Sequence, residues 1–219
     1  ANRKALPPPE GDRIVRPMKR RNQLAFTLME LMVTLSIAAV VMTLAVPNIQ
    51  KFIKNNKMTG VANDMLTSLT LARNESIKLQ QPVAVCASTN PKAADPTCAT
   101  GTFTSGWVVW VDVNNNGLRD VGERVLSAHD AIDPVISSGA NNSYLVSYAA
   151  TGFAQTNPGG RPTSTQMAMC DDRHNVATLG TQSAARAVMI NQTGRARVTR
   201  DITEIANVIT AIGSFGNCT

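Results

Sequence analysis

Four groups of residues in this 219-residue chain have types and spacings that could do chemistry. Asp112, Asn114, Asn116, Leu118, Asp120 and Glu123, with Gly117 among them, match the twelve-position pattern of a calcium loop. That pattern places oxygen donors at alternating positions, one of them the Leu118 carbonyl, with a tight turn at glycine and a two-oxygen carboxylate at the end. The flanks read as strands rather than helices, and Asn-Asn-Gly is also what a plain hairpin turn requires. Calcium is therefore the weaker reading and a metal-free turn the stronger. The second group is Gly194, Arg195 and Arg197, with Arg186 before it and Arg200 after. On a strand Arg195 and Arg197 share a face about 6.7 Å apart, a comb of guanidinium groups suited to phosphates. Cys86, Cys98, Cys170 and Cys218 form the third group. Structural disulfides are the favoured reading, in an oxidising compartment. Of the three possible pairings, Cys86 with Cys98 closes a short loop between early strands, and Cys170 with Cys218 ties down the C-terminal tail. A metal site on Cys170 and His174 lacks a matching second ligand pair.

The fourth is a single residue, Glu30, the one ionisable side chain in the apolar run from Phe26 to Val46. A helix over that run is long enough to cross a hydrocarbon core of about 30 Å. A carboxylate there costs roughly 2.5–3.5 kcal/mol on insertion scales, less near an end, and so calls for a cationic partner. The span holds none. Cleavage between Ala25 and Phe26 would create one, an α-amino group a helical turn from Glu30. Helix geometry favours contact with the amine of a neighbouring molecule, which would set the register of subunits packed side by side.

Composition bounds the alternatives. The chain is 43% apolar, which suits a folded domain, and its net charge of +6 is unevenly spread. Residues 1–25 hold seven Lys/Arg and two Asp/Glu, so the remaining 194 residues carry 14 against 13. A wholly basic nucleic-acid-coating domain is excluded, and any anion site must be local. Only two histidines, His129 and His174, are present, and the chain has no HExxH, GxGxxG, Walker-type loop, GxSxG or CxxC. An enzyme is not expected.

The elements that position these groups follow from patterning. Residues 1–25 are a charged, Pro-rich leader, with Met18 an alternative translation start. Residues 26–46 are the transmembrane half of a long helix. Lys19, Arg20 and Arg21 ahead of it place the N-terminus in the cytoplasm and the remainder outside. Beyond Pro47, which should kink the helix without ending it, Ile49, Phe52, Ile53, Met58, Val61, Met65, Leu69, Ala72 and Ile77 recur three or four apart. That predicts an amphipathic half over 47–80. Residues 81–219 change to short β-branched and aromatic runs between turn residues. Candidate strands are 83–88, 106–111, 123–128, 144–149, 166–170, 185–190 and 195–198, with period two. The fold class expected is α+β, a long N-terminal helix packed on one apolar face of an antiparallel sheet.

Residues 19–49, KRRNQLA followed by FTLMELMVTLSIAAVVMTLAVPNI, resemble the N-terminus of type IV pilins and type II secretion pseudopilins. The match comprises a basic leader, cleavage before Phe26, Thr27-Leu28, Glu30, an apolar helix and Pro47, with Ala25 where the family usually has glycine. The stretches VANDMLTSLTLARNESIKLQQPVAVCAS, GWVVWVDVNNNGLRDVGERVL and INQTGRARV resemble the GspH/FimT group of minor pilins and pseudopilins. The resemblance implies a pilin fold, cutting and methylation at Ala25/Phe26 by prepilin peptidase, and assembly through Glu30 with other minor subunits and the major pilin. It also implies an inner-membrane anchor with a periplasmic domain, and a place at or near the tip of a pilus or pseudopilus, helping to start assembly. The setting of Gly194, Arg195 and Arg197 resembles the GRxR motif of DNA-binding FimT proteins, which implies double-stranded DNA as an alternative partner. With Arg186 and Arg200 contributing, about three neutralised phosphates would give a salt slope near −2.7.

Overall fold

The computed structural model describes residues 26–98, 102–141, 145–155, 165–213 and 215–218. The leader, Ala25 and Tyr144 lie outside them. Two compact units meet between Val46 and Pro47, joined by the helix α1 (Leu28–Leu79), which contains Pro47.

In the first unit α1 starts with a side-chain cap: Thr27 Oγ1 accepts the Glu30 N–H at 3.2 Å, satisfying one of the donors that every helix start leaves free. Its hydroxyls turn back on the helix. Thr34 donates to Leu31 O at 2.9 Å, Ser36 to Met32 O at 2.8 Å and Thr43 to Val40 O at 2.7 Å, so these three hydroxyls need no water. This is the one helix among the described residues long and apolar enough to cross a membrane, and nothing in its most apolar window is buried by protein.

Among the described residues of the second unit, α1 is followed by ten strands, a single 3-10 turn (Phe103–Ser105) and a helix. The strands and the helix are β1 (Val83–Ala87), β2 (Trp107–Val111), β3 (Val125–His129), β4 (Ser137–Ala140), β5 (Leu145–Tyr148), β6 (Ala154–Gln155), β7 (Thr165–Cys170), β8 (Ala177–Leu179), β9 (Gln182–Ile190), β10 (Ala196–Asp201) and α2 (Ile202–Ile212). The strands form two antiparallel sheets, ordered β3-β2-β1-β5-β6 and β10-β9-β7-β4, with β8 pairing β9. The α+β class expected, a long N-terminal helix packed on antiparallel strands, holds, and the strands divide between two sheets rather than one. β1 and β2 are buried on both faces, which is why VAVCA and WVVWV read as unbroken apolar runs.

The main core forms where the buried stripe of α1, Met58, Ala62, Met65, Leu69 and Ala72, meets Val83 and Val85 of β1, Trp107 and Val109 of β2, Met167 of β7 and Val188 and Ile190 of β9. The 4-3-4-3 spacing of that stripe is the helical period, and the buried indole of Trp107 donates to Ser68 Oγ at 2.9 Å. The stripe begins at Met58. Ile49, Phe52 and Ile53 keep the same spacing in sequence but are exposed and take no part in the core. On the far face of β7 and β9, Ile205, Val208 and Ile209 of α2 cover Ala168, Ala185 and Ala187. The sequence reading missed α2, although Asp201 accepts the N–H groups of Thr203 and Glu204 at 3.0 Å as an N-cap and Gly213 ends the helix.

Candidate functional site

The β9–β10 turn is built by Asn191, whose Oδ1 accepts from Arg195 N at 2.9 Å and from Thr193 Oγ1 at 2.7 Å, while its carbonyl accepts from Gly194 N at 2.9 Å. Gly194 has φ +79°, and an added Cβ would lie 2.0 Å from the carbonyl oxygen of Gly152. Arg73 of α1 clamps both turns, donating from Nε to Gly152 O and from Nη2 to Thr193 O, each at 3.1 Å. The glycine of the motif is therefore a packing residue, and Arg73 is the positioning residue that sequence reasoning did not single out.

Beyond this turn Arg195 and Arg197 line one cavity of ≈ 420 Å³ together with Gln166 and Met189. Arg195 is exposed. Arg197 is held by α2 as a fork, with Nη1 to Glu204 Oε2 at 3.0 Å and Nη2 to Oε1 at 2.9 Å. The Arg197 guanidinium, helped by Thr199, pulls the Glu204 carboxyl down to about 2. Because that value is depressed, the pair is intact above the ordinary carboxylate range and is lost only as pH falls through about 2.

Arg186 requires a correction: it is 1% exposed and cannot reach a ligand. Its Nη1 donates to the carbonyls of Ser183, Ala184 and Ala185 at 3.0, 3.0 and 2.8 Å, and Nη2 donates to Thr59 Oγ1 at 3.1 Å. Burial draws its guanidinium down to about 10. Strand parity explains the position, since Arg186 shares a face with Val188 and Ile190, both in the main core. Arg200 is only partly exposed and sits at the irregularity between Thr199 and Asp201 in the β9–β10 register. Of the five residues read as an anion site, the structure brings together Arg195 and Arg197.

The loop from Asp112 to Glu123 closes on itself. Asp112 accepts from Asn116 N at 3.0 Å and from Gly117 N at 2.8 Å. Asn114 and Asn116 both donate amide N–H to Asp120 Oδ2 at 2.8 Å, which lowers the Asp120 pKa. Burial pushes the Asp112 carboxyl up, partly offset by its backbone donors. Glu123 accepts Val113 N and Asp120 N, one on each oxygen, both at 2.9 Å. Among the described residues no three His, Cys, Asp or Glu side chains converge on a metal position. In this arrangement the residues of the calcium pattern, Asp112, Asn114, Asn116, Leu118, Asp120 and Glu123, hold one another and the loop backbone. Their carboxylates serve as acceptors for loop N–H and amide groups, the chemistry of a rigid turn.

Cys86 is bonded to Cys98, and Cys170, at the end of β7, to Cys218. The two histidines have structural surroundings. His129 stacks on Trp107 with ring centroids 3.8 Å apart, and His174 Nδ1 lies 2.6 Å from Asn217 O. Phe26 and Glu30 are exposed at the start of α1, and the Glu30 carboxylate has no hydrogen-bond or ionic partner among the described residues.

The family model described as Type II transport protein GspH matches residues 61–194, and the Prokaryotic N-terminal methylation motif matches residues 20–46. Among solved structures the chain is similar to the type IV minor pilin FimU of Pseudomonas aeruginosa, with a TM-score of 0.48 and 16% identity over 68% of this chain and 92% of that one. It is also similar to the minor pseudopilin EpsH from the Type 2 Secretion System of Vibrio cholerae, with a TM-score of 0.41 and 9% identity over 66% of this chain and 97% of that one. No curated protein matches it.

Proposed function

The chain belongs to the family of Type II transport protein GspH, and from that premise we propose that it is a structural subunit, a minor pilin or pseudopilin that acts at or near the tip of a pilus or type II secretion pseudopilus and helps to start assembly. One observation carries the reading: an apolar helix with no protein cover presents a single carboxylate, Glu30, that has no partner among the described residues. Hydrocarbon can cover the apolar side chains but not the charge. Removal of the leader between Ala25 and Phe26 would supply the cation, an amine on a neighbouring subunit, as methylated Phe26. In the membrane the helix is anchored with the sheet domain outside, and assembly transfers the same helix into a filament among other minor pilins and the major pilin.

Glu30→Gln should leave membrane insertion intact and reduce coprecipitation with the other minor subunits about tenfold, the equivalent of roughly 1.4 kcal/mol. Wild-type recovery of the variant would remove the pairing role. Mass spectrometry of the same preparation should find chains that begin at Phe26.

A second reading, capture of double-stranded DNA, is supported by the shared cavity of Arg195 and Arg197. With Arg186 buried and Arg197 held by Glu204, Arg195 is the free cation of the comb. The slope of log K against log salt should then be about −0.9 to −1.8, shallower than three phosphates require. Glu204→Gln, which frees Arg197, should tighten binding and steepen the slope, and Arg195→Ala should weaken it. A gel-shift titration in which neither variant differs from wild type would exclude this strand as the DNA contact.

A further inference from the structure

Between the end of the apolar run at Val46 and the start of the buried stripe at Met58, α1 carries three apolar side chains that the fold does not use. Ile49, Phe52 and Ile53 are 55%, 64% and 48% exposed. Loops from the sheets flank this stretch without covering it. On one side the loop after β3 is tied by Lys57 to Asp133 at 2.7 Å and presents Val135, 46% exposed, across a cavity of ≈ 230 Å³ that Ile53 also lines. On the other, the loop after β7 is tied by Lys54 to Asp172 at 2.5 Å and presents Val176, 54% exposed, across a cavity of ≈ 480 Å³ shared with Phe52. The result is an apolar surface built from three segments far apart in sequence.

We infer that this surface lies in the headgroup layer of the bilayer that the N-terminal run crosses. The inference rests on the membrane-anchored reading and deepens it. Chain length carries the argument, whatever the orientation of the two units. Ile49 to Ile53 lie three to seven residues past Val46, so at 1.5 Å per residue they are at most about 5–11 Å beyond the hydrocarbon edge. The headgroup region is about 5–8 Å thick on each side, and amphipathic surfaces settle about 5–10 Å into that boundary. The charges at this end fit such a depth. Lys54 and Lys57 are matched by Asp172 and Asp133, and Lys51 is an exposed lysine whose stem can lie along apolar groups while its ammonium reaches phosphate. Contact through the apolar side chains makes the surface largely indifferent to salt.

The test uses the full chain in phospholipid vesicles with tryptophan reporters read against lipids brominated near the head of the acyl chain. Native Trp107 and Trp110 are buried and give a constant background. Phe52→Trp should show blue-shifted emission that the brominated lipids quench. Phe153→Trp is the remote comparison, because its turn is clamped by Arg73, about 40 Å along α1 from Val46, and quenching there as strong as at Phe52 would overturn the inference. Val40→Trp reports the span itself. Quenching at Val40 but not at Phe52 would overturn the inference and leave the anchor standing, whereas quenching at neither would overturn both. Blue-shifted but unquenched emission at Phe52 would mean that protein covers the surface instead, and would also overturn it.

Discussion

Gly194→Ala should lower the stability of the sheet domain by about 2–5 kcal/mol, among the larger effects available to a single methyl group. Two terms add. Alanine in the left-handed region costs about 1–2 kcal/mol, and forcing a methyl into filled space costs about 1–3 kcal/mol. Here the obstacle is the Gly152 carbonyl oxygen, 2.0 Å from the new Cβ, and that oxygen is already held by Arg73. Neither turn can retreat without breaking the clamp on both. For a domain of this size the midpoint of thermal unfolding should fall by roughly 5–15 °C. The result also separates two meanings of the Gly-Arg-x-Arg sequence. If the glycine served only a ligand, the variant would melt like wild type and lose binding alone. An unchanged melting curve would refute the packing role.

Removing the Cys170–Cys218 bridge by the double change Cys170→Ser and Cys218→Ser should cost about 4 kcal/mol, against about 3 kcal/mol for the Cys86–Cys98 pair. The difference follows from the lengths of chain enclosed, 48 and 12 residues, which set how much freedom each bridge removes from the unfolded chain. Cys218 also fixes the C-terminal segment, in which Phe215 pairs with Cys218 and packs its ring against Gly139 of β4, an edge strand. The melting midpoint should drop by roughly 8–16 °C for the longer bridge and less for the shorter one. Equal loss for the two, or greater loss for Cys86–Cys98, would show that unfolded-chain entropy does not dominate.

Where the sequence can be read, local physics permits one answer. A run of twenty-one residues with one charge can only be a helix in an apolar environment, so α1 and its exposed first half were legible at once. The strand runs rich in valine, isoleucine and tryptophan were legible for the same reason, within a few residues at each end. Ser137–Ala140, Ala154–Gln155 and Ala177–Leu179 were not. Apart from Thr178 and Leu179 these are small or polar residues with little β preference, and they become strands because β7, β5 and β9 offer them partners. The helix α2 was hidden by its β-branched residues, although Asp201 and Gly213 marked both of its ends.

The arginines show the boundary most clearly. Residue type and spacing alone gave a local basic comb, a lone carboxylate in an apolar run and four cysteines suited to pairing, because charge, length and cysteine number are properties of the chain. Which guanidinium groups remain available was decided only by the tertiary structure. Arg186 is enclosed by α1 and its own strand, Arg197 is taken by Glu204 of α2, and Arg195 is left facing solvent. Burial and pairing depend on neighbours brought close by folding, and those neighbours lie up to 127 residues away along the chain.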